Sequence, residues 1–203
     1  MREDAGVIRV LGRDISALGK AEFDRLKTRI GVVFQTPALL SDRTVWENVA
    51  LPLVYHHPGG EEGIRERVDQ ALEMLLLGEY RDLYPADISL GLQKRAAVAR
   101  AMVTRPALIL MDEPTADFDP AGRDVLLALI GNIRRTSHVA MILVTHDLAA
   151  ARELESGIGV LKEGELLEPM SFEELRRSQD SFVASLFRRS DGAAVSAAGT
   201  ERA

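Results

Sequence analysis

Cysteine is absent from the chain, which excludes disulfides and thiolate metal sites and fits a reducing compartment. No run reaches the ~18–20 apolar residues that a membrane span requires. The start, Met1-Arg2-Glu3-Asp4, is polar and carries no signal-peptide hydrophobic region. A cytoplasmic protein is therefore expected, with any membrane link supplied by a partner. Excess positive charge is missing too: a net charge of -6 gives no general pull towards nucleic acid, and no nucleic-acid partner is expected. Internal repeats and low-complexity linkers are not seen. What is present is an ordinary globular composition, 46% hydrophobic and 28% charged, in 203 residues. That length supports one sizeable core, or one domain with a subdomain.

Along the chain, Val7–Leu11 reads as a short strand ending at Gly12, and Ile30–Phe34 as a strand running into Gln35, with an amphipathic segment (Lys20–Lys27) between them. From Thr36 to about Arg105 there is little strand character. Helices are expected there over Val45–Val49, Glu61–Leu77 and Leu90–Val103. Strands and helices then alternate: strand Ala107–Met111, a helix from Pro120 to about Arg134, strand Val139–Val144, and a helix beginning near Asp147. A hairpin with its turn at Lys162-Glu163-Gly164 follows. A last helical region is expected over Ser171 to about Arg188, and residues 190–203 read as a small, polar, disordered tail. Continuous apolar strands joined by helices indicate an α/β sheet covered on both faces, with a helical subdomain inserted between its strands.

The strongest local signal is Leu108-Ile109-Leu110-Met111-Asp112-Glu113-Pro114-Thr115, a buried-type strand ending in two adjacent carboxylates. Acids at the C-terminal edge of a parallel strand face the crevice where nucleotides bind. Asp112 suits a magnesium-linked role, because Mg2+ prefers oxygen ligands and often reaches carboxylates through water. Glu113 is placed to polarise an attacking water. On the pattern alone, the same acids could instead cap the next helix. The second signal is Val144-Thr145-His146-Asp147, where a strand-end histidine could contact a γ-phosphate or orient water. Gln35 also ends a strand and opens the helical insertion. Taken alone, it reads as an ordinary loop amide. Ser89 and Gly91 open a helix, where free backbone N–H groups can be capped by the serine or offered to an anion.

Taken in order, these segments resemble an ABC transporter ATPase, a P-loop NTPase-like α/β fold, over nearly the whole chain. Phe34-Gln35 resembles the Q-loop, Ile88 to Leu92 the LSGGQ signature, and Asp112-Glu113 the end of Walker B. Ala116-Asp117-Phe118-Asp119 resembles the D-loop and His146 the switch histidine. The resemblance implies ATP and Mg2+ as ligands and a head-to-tail dimer with a second ABC ATPase subunit, the homodimer being expected. Integral membrane permease subunits are implied as further partners, so the chain would sit peripherally on the inner face of the cell membrane. It also implies that Gln35, Asp112, Glu113 and His146 serve the chain's own nucleotide, with Gln35 and Asp112 towards Mg2+. Ser89 and Gly91 would serve the partner's nucleotide, and Asp119 would communicate across the interface. The implied core is 1–35 and 105–189, with a helical signature subdomain at 36–104. Leu39 to Leu53 resembles importer-like ATPases, including the Mce/Mla phospholipid-transport group and the cell-division and methionine-uptake groups. Leu92-Gln93-Lys94-Arg95 and Ser178 to Phe187 resemble the Mce/Mla group in particular, which makes phospholipid the expected cargo.

One family element is not found. A phosphate loop needs Gly, four spacers, then Gly-Lys-Ser/Thr. Gly19-Lys20 fails, because the required first glycine falls on Asp14 and Ala21 replaces the hydroxyl. The resemblance thus implies that Met1 falls inside the domain, through a wrong start or a degenerate gene product. An uncovered apolar surface is then expected. Leu90 stands where the signature has its first glycine, and a side chain there can obstruct close approach to phosphate. A non-catalytic ABC-fold subunit that binds transporter partners is therefore the alternative expectation.

Overall fold

The computed structural model describes residues 6–56, 60–154 and 157–188, so the tail expected at 190–203 lies outside them. The chain divides into two compact units, Met1–Val144 and Thr145–Ala203.

The first unit opens with a small antiparallel hairpin, β1 (Arg9–Val10) and β2 (Arg13–Asp14). Leu11 and Gly12 form its two-residue turn, both at positive φ (49° and 78°), the geometry that matches the twist of paired strands. The single strand expected at Val7–Leu11 is thus shorter, and it turns back on itself. α1 (Lys20–Lys27) follows. The Glu22 carboxylate accepts a hydrogen bond from the Gly19 N–H at 3.2 Å, so the Gly19-Lys20 step is a self-capped helix start.

Three parallel strands form the central sheet in the order β3 (Ile30–Val33), β4 (Leu108–Asp112), β5 (Ala140–Val144). Val32, Leu110 and Ile142 stand in register, as do Gly31, Ile109 and Met141. Between β3 and β4 lie α2 (Val45–His56), α3 (Glu61–Met74) and α4 (Leu90–Met102), packed on one another through Val45, Val49, Leu53, Val68, Leu72 and Val98. α2 is longer than the expected Val45–Val49. It continues through Pro52 because Ala50 and Leu53 stay buried, which offsets the one backbone hydrogen bond that proline removes.

α4 also packs against β3. A Cβ on Gly31 would lie 2.4 Å from the Ala101 carbonyl oxygen, so only glycine permits this approach. Between β4 and β5 runs α5 (Pro120–Thr136), amphipathic, with Leu126, Leu127, Ile130 and Ile133 buried.

One face of the sheet is buried along β3 and β4 and half-buried at Met141 and Leu143 of β5. Val33, Ile109 and Met111 are buried, whereas Val32, Ile142 and Val144 on the other face are 40%, 54% and 58% exposed. The expectation of a sheet covered on both faces therefore does not hold for the described residues, and the expected uncovered apolar surface is present.

The second unit contains α6 (Leu148–Glu153), the hairpin β6 (Leu161–Lys162) and β7 (Glu165–Leu166), and α7 (Phe172–Arg177). A further helical stretch covers 181–188. Val160, Leu175 and Val183 make its core, flanked by Leu148, Ile158, Met170 and Phe187. The helical region expected from Ser171 to about Arg188 consists of two helices. Asp180 accepts hydrogen bonds from the Phe182 and Val183 N–H groups and from Lys162 Nζ (2.7 Å), which starts a new helix where α7 has stopped.

Candidate functional site

The parallel register sets which residues share an edge. Val33 pairs with Met111 and Asp112 with Val144, so Phe34-Gln35, Asp112-Glu113 and the end of β5 all leave the sheet at its C-terminal edge. Crevices for ligands form at such edges. Asp112 is exposed and is in register with Val144, on the open face. Glu113 breaks the alternation. Its φ of 44° turns the chain out of the strand, while its N–H still donates to the Val144 carbonyl at 2.9 Å. A non-glycine residue in this region is energetically unfavourable and tends to occur at working sites.

Gln35 is exposed, two residues beyond the end of β3. The loop after it is held tightly. Arg100 of α4 donates to the carbonyls of Pro37 (2.9 Å) and Ala38 (2.8 Å). The fully buried Asn48 carboxamide accepts from the Leu40 N–H and donates to the carbonyls of Leu40, Arg43 and Thr44.

At the other end of α4, Ser89 is the N-cap, its hydroxyl accepting from the Leu92 N–H at 3.3 Å. Leu90 follows, 41% exposed, at the helix mouth. The Phe118 ring lies against both helix starts. A Cβ on Gly91 would be 3.1 Å from it, and one on Gly122 would be 2.8 Å away. Asp119 caps α5 by accepting from the Gly122 N–H at 2.9 Å.

The structure thus places Gln35, Asp112 and Glu113 at one sheet edge. It joins Gly91 to the turn before Asp119 through the Phe118 ring. His146 belongs to the second unit, exposed in the turn ahead of α6, where the Asp147 side chain caps the helix by accepting from the Ala149 N–H at 2.8 Å.

The donor set of the first unit fits a magnesium nucleotide. Its strand-end groups are oxygen donors, the type that Mg2+ selects. Among the described residues no three His, Cys, Asp or Glu side chains converge to hold a metal by themselves.

Sequence reasoning missed Lys94, Arg100 and Asn48 as organisers of these loops. Lys94 entered the sequence analysis only within the Leu92-Gln93-Lys94-Arg95 resemblance, and Arg100 was assigned no role. The apolar residues around them (Ala96 to Ala99) were the one available signal that this helix is buried on most sides.

Residues 1–116 match the family model of the ABC transporter. The chain belongs to the ABC transporter family. Over 189 residues it is 36% identical to the methionine import ATP-binding protein MetN of Mannheimia succiniciproducens, covering 93% of this chain and 54% of that protein. Over 167 residues it is 38% identical to MetN of Rhizobium etli, covering 82% and 46%. The chain spans about half the length of the curated relatives it matches.

Among solved structures it resembles the ATP-binding cassette MJ0796, described as a dimeric post-hydrolysis state bound to ADP and Pi. The TM-score is 0.73 at 30% identity, covering 83% of this chain and 74% of that one. It also resembles cbiO1 of Clostridium perfringens, described as part of the ABC transporter complex cbiONQ, with a TM-score of 0.79 at 27% identity over 89% and 71%. These neighbours agree with the α/β ABC ATPase fold expected from the motifs. The sequence relatives named here are methionine importers, and they give the expected phospholipid cargo no support. No helix among the described residues is long and apolar enough to cross a membrane.

Proposed function

We propose that this chain is the ATP-binding part of an ABC importer, acting at the cytoplasmic side of a membrane with permease subunits and a second ATPase copy. The observation that carries the reading is the shared C-terminal edge of β3, β4 and β5, where Gln35 and the Asp112-Glu113 pair leave the sheet together. The relatives support a methionine-type amino acid as the cargo in place of phospholipid.

In this reading Asp112 and Gln35 hold magnesium, directly or through water, and the ion supplies charge neutralisation at the phosphates. Glu113 accepts the proton of the attacking water. Its left-handed backbone sets its side chain apart from the strand's alternating pattern, so it need not share the role of Asp112. His146 acts on the same chain's nucleotide. Ser89, Gly91 and the N-terminal N–H groups of α4 serve the phosphates held by the opposing subunit. Asp119 lies at the subunit contact.

Leu90 favours a second reading, in which the chain is a non-catalytic partner. Its side chain is exposed at the helix mouth, where close approach of a phosphate needs the least bulk.

The experiment that separates the two readings purifies the native protein with its membrane partners and titrates it with a fluorescent ATP analogue and magnesium. Magnesium-dependent binding supports the ATPase reading, and its weakening by Asp112→Asn supports the assigned role. Co-purification without binding selects the non-catalytic partner. Failure to co-purify with any membrane protein contradicts both.

A further inference from the structure

Among the described residues Lys94 alone combines a formal charge with near-complete burial, at 3% exposure. It lies on α4, three residues after Gly91 and so on the same side of the helix. Its ammonium donates to the Ala116 carbonyl and sits 5.2 Å from the centroid of the Phe118 ring. Burial pulls the Lys94 pKa below its ordinary value, while the Asp117 and Glu113 carboxylates favour the charged form.

A carbonyl and a ring face recover only part of the hydration that a buried ammonium loses. A methionine of similar length would fill the space without that loss. Apolar packing therefore does not account for a lysine here. Direction does: a cation aimed at one carbonyl fixes the turn that carries it.

Other contacts meet the same turn. Asp117 is in the left-handed region at φ 62°, and the Ala116 N–H reaches back to the Glu113 carbonyl at 3.1 Å. Phe118 inserts beside Gly91 and Gly122, and Asp119 caps α5. Lys94 and Gly91 thus grip adjacent parts of one turn from a single helix.

We propose that Lys94 is a positioning residue that locks the 116–119 turn onto α4, so that the Ser89–Gly91 helix end and the strand-end Glu113 keep a fixed relation through that turn. This deepens the nucleotide-site reading above and rests on it. Its test is independent of nucleotide.

The test is amide hydrogen exchange on the native protein, comparing the wild type with Lys94→Met and Lys94→Arg. Lys94→Met should exchange about tenfold faster at residues 115–119, with the interior of α4 unchanged and the thermal midpoint moved by no more than about two degrees. Lys94→Arg, which keeps a donor and a charge, should restore most of the protection. Wild-type protection of the turn in Lys94→Met would overturn the proposal. So would a general loosening of α4 with a lowered midpoint, which is what a purely structural role gives. Folded Lys94→Arg with no recovered protection would also overturn it.

Should Lys94→Met fail to fold, Phe118→Leu removes the ring face while keeping apolar bulk. Faster exchange confined to 115–119 is expected there, and unchanged protection contradicts the proposal. ATP binding measured on the same wild-type sample keeps the two ideas apart. Absence of binding defeats the nucleotide reading and leaves the exchange result standing.

Discussion

The two faces of the central sheet are built from equally apolar residues but have different surroundings. Gly31, Val33, Ile109 and Met111 point to one side, where Val33, Ile109 and Met111 are buried and α4 approaches β3 closely enough to demand glycine. Val32, Leu110, Ile142 and Val144 point to the other side, where Leu110 is half-buried and the rest are exposed. Burial is thus a property of neighbours and cannot be read from side-chain chemistry alone. The open face is also the one that Asp112 shares with Val144.

The difference between the faces can be broken by mutation, and the largest effect is expected on the covered side. Ile109→Ala leaves a cavity in the fully buried layer and should lose roughly 2–5 kcal/mol in chemical denaturation. Gly31→Ala drives a methyl group into the Ala101 carbonyl and should lose about 1–3 kcal/mol, with β3 and α4 forced apart. Leu110→Ala, between the extremes, should lose about 1 kcal/mol. Ile142→Thr on the open face should change stability by less than ~0.5 kcal/mol and raise the solubility limit measured by light scattering. If Ile142→Thr instead destabilised as much as Ile109→Ala, that face would be covered in the molecule under test, and the comparison would fail.

Much of this arrangement was legible in the sequence because its determinants are local. The apolar run Leu108 to Met111 ending in Asp112-Glu113, and the serine opening α4, are one-dimensional signals with one structural solution each. The placement of Asp112 and Glu113 at a strand end, and of Ser89 and Gly91 at a helix start, followed from them, while their chemical roles stand as proposals.

Most of what escaped depends on contacts distant in sequence, the first hairpin being a local exception. The β1–β2 hairpin needs Leu11 in a left-handed conformation, which no propensity favours. α2 runs through Pro52 because Ala50 and Leu53 remain buried in the helical layer. The break before residue 181 arises from Asp180, held by Lys162 across 18 positions. The burial of Lys94 depends on the turn at 116–119 closing over it, more than twenty residues away. The cargo escaped for another reason. The signature end and the terminal segment pointed to phospholipid, whereas the relatives over most of the chain are methionine importers.

The central claim is that the Asp112-Glu113 edge performs ATP chemistry, and phosphate release by the native protein assembled with its partners, wild type against Glu113→Gln, tests it most directly. The predicted result is a fall of about a hundredfold or more with ATP binding retained, the scale of a lost general base. Hydrolysis by Glu113→Gln at the wild-type rate would contradict the assignment.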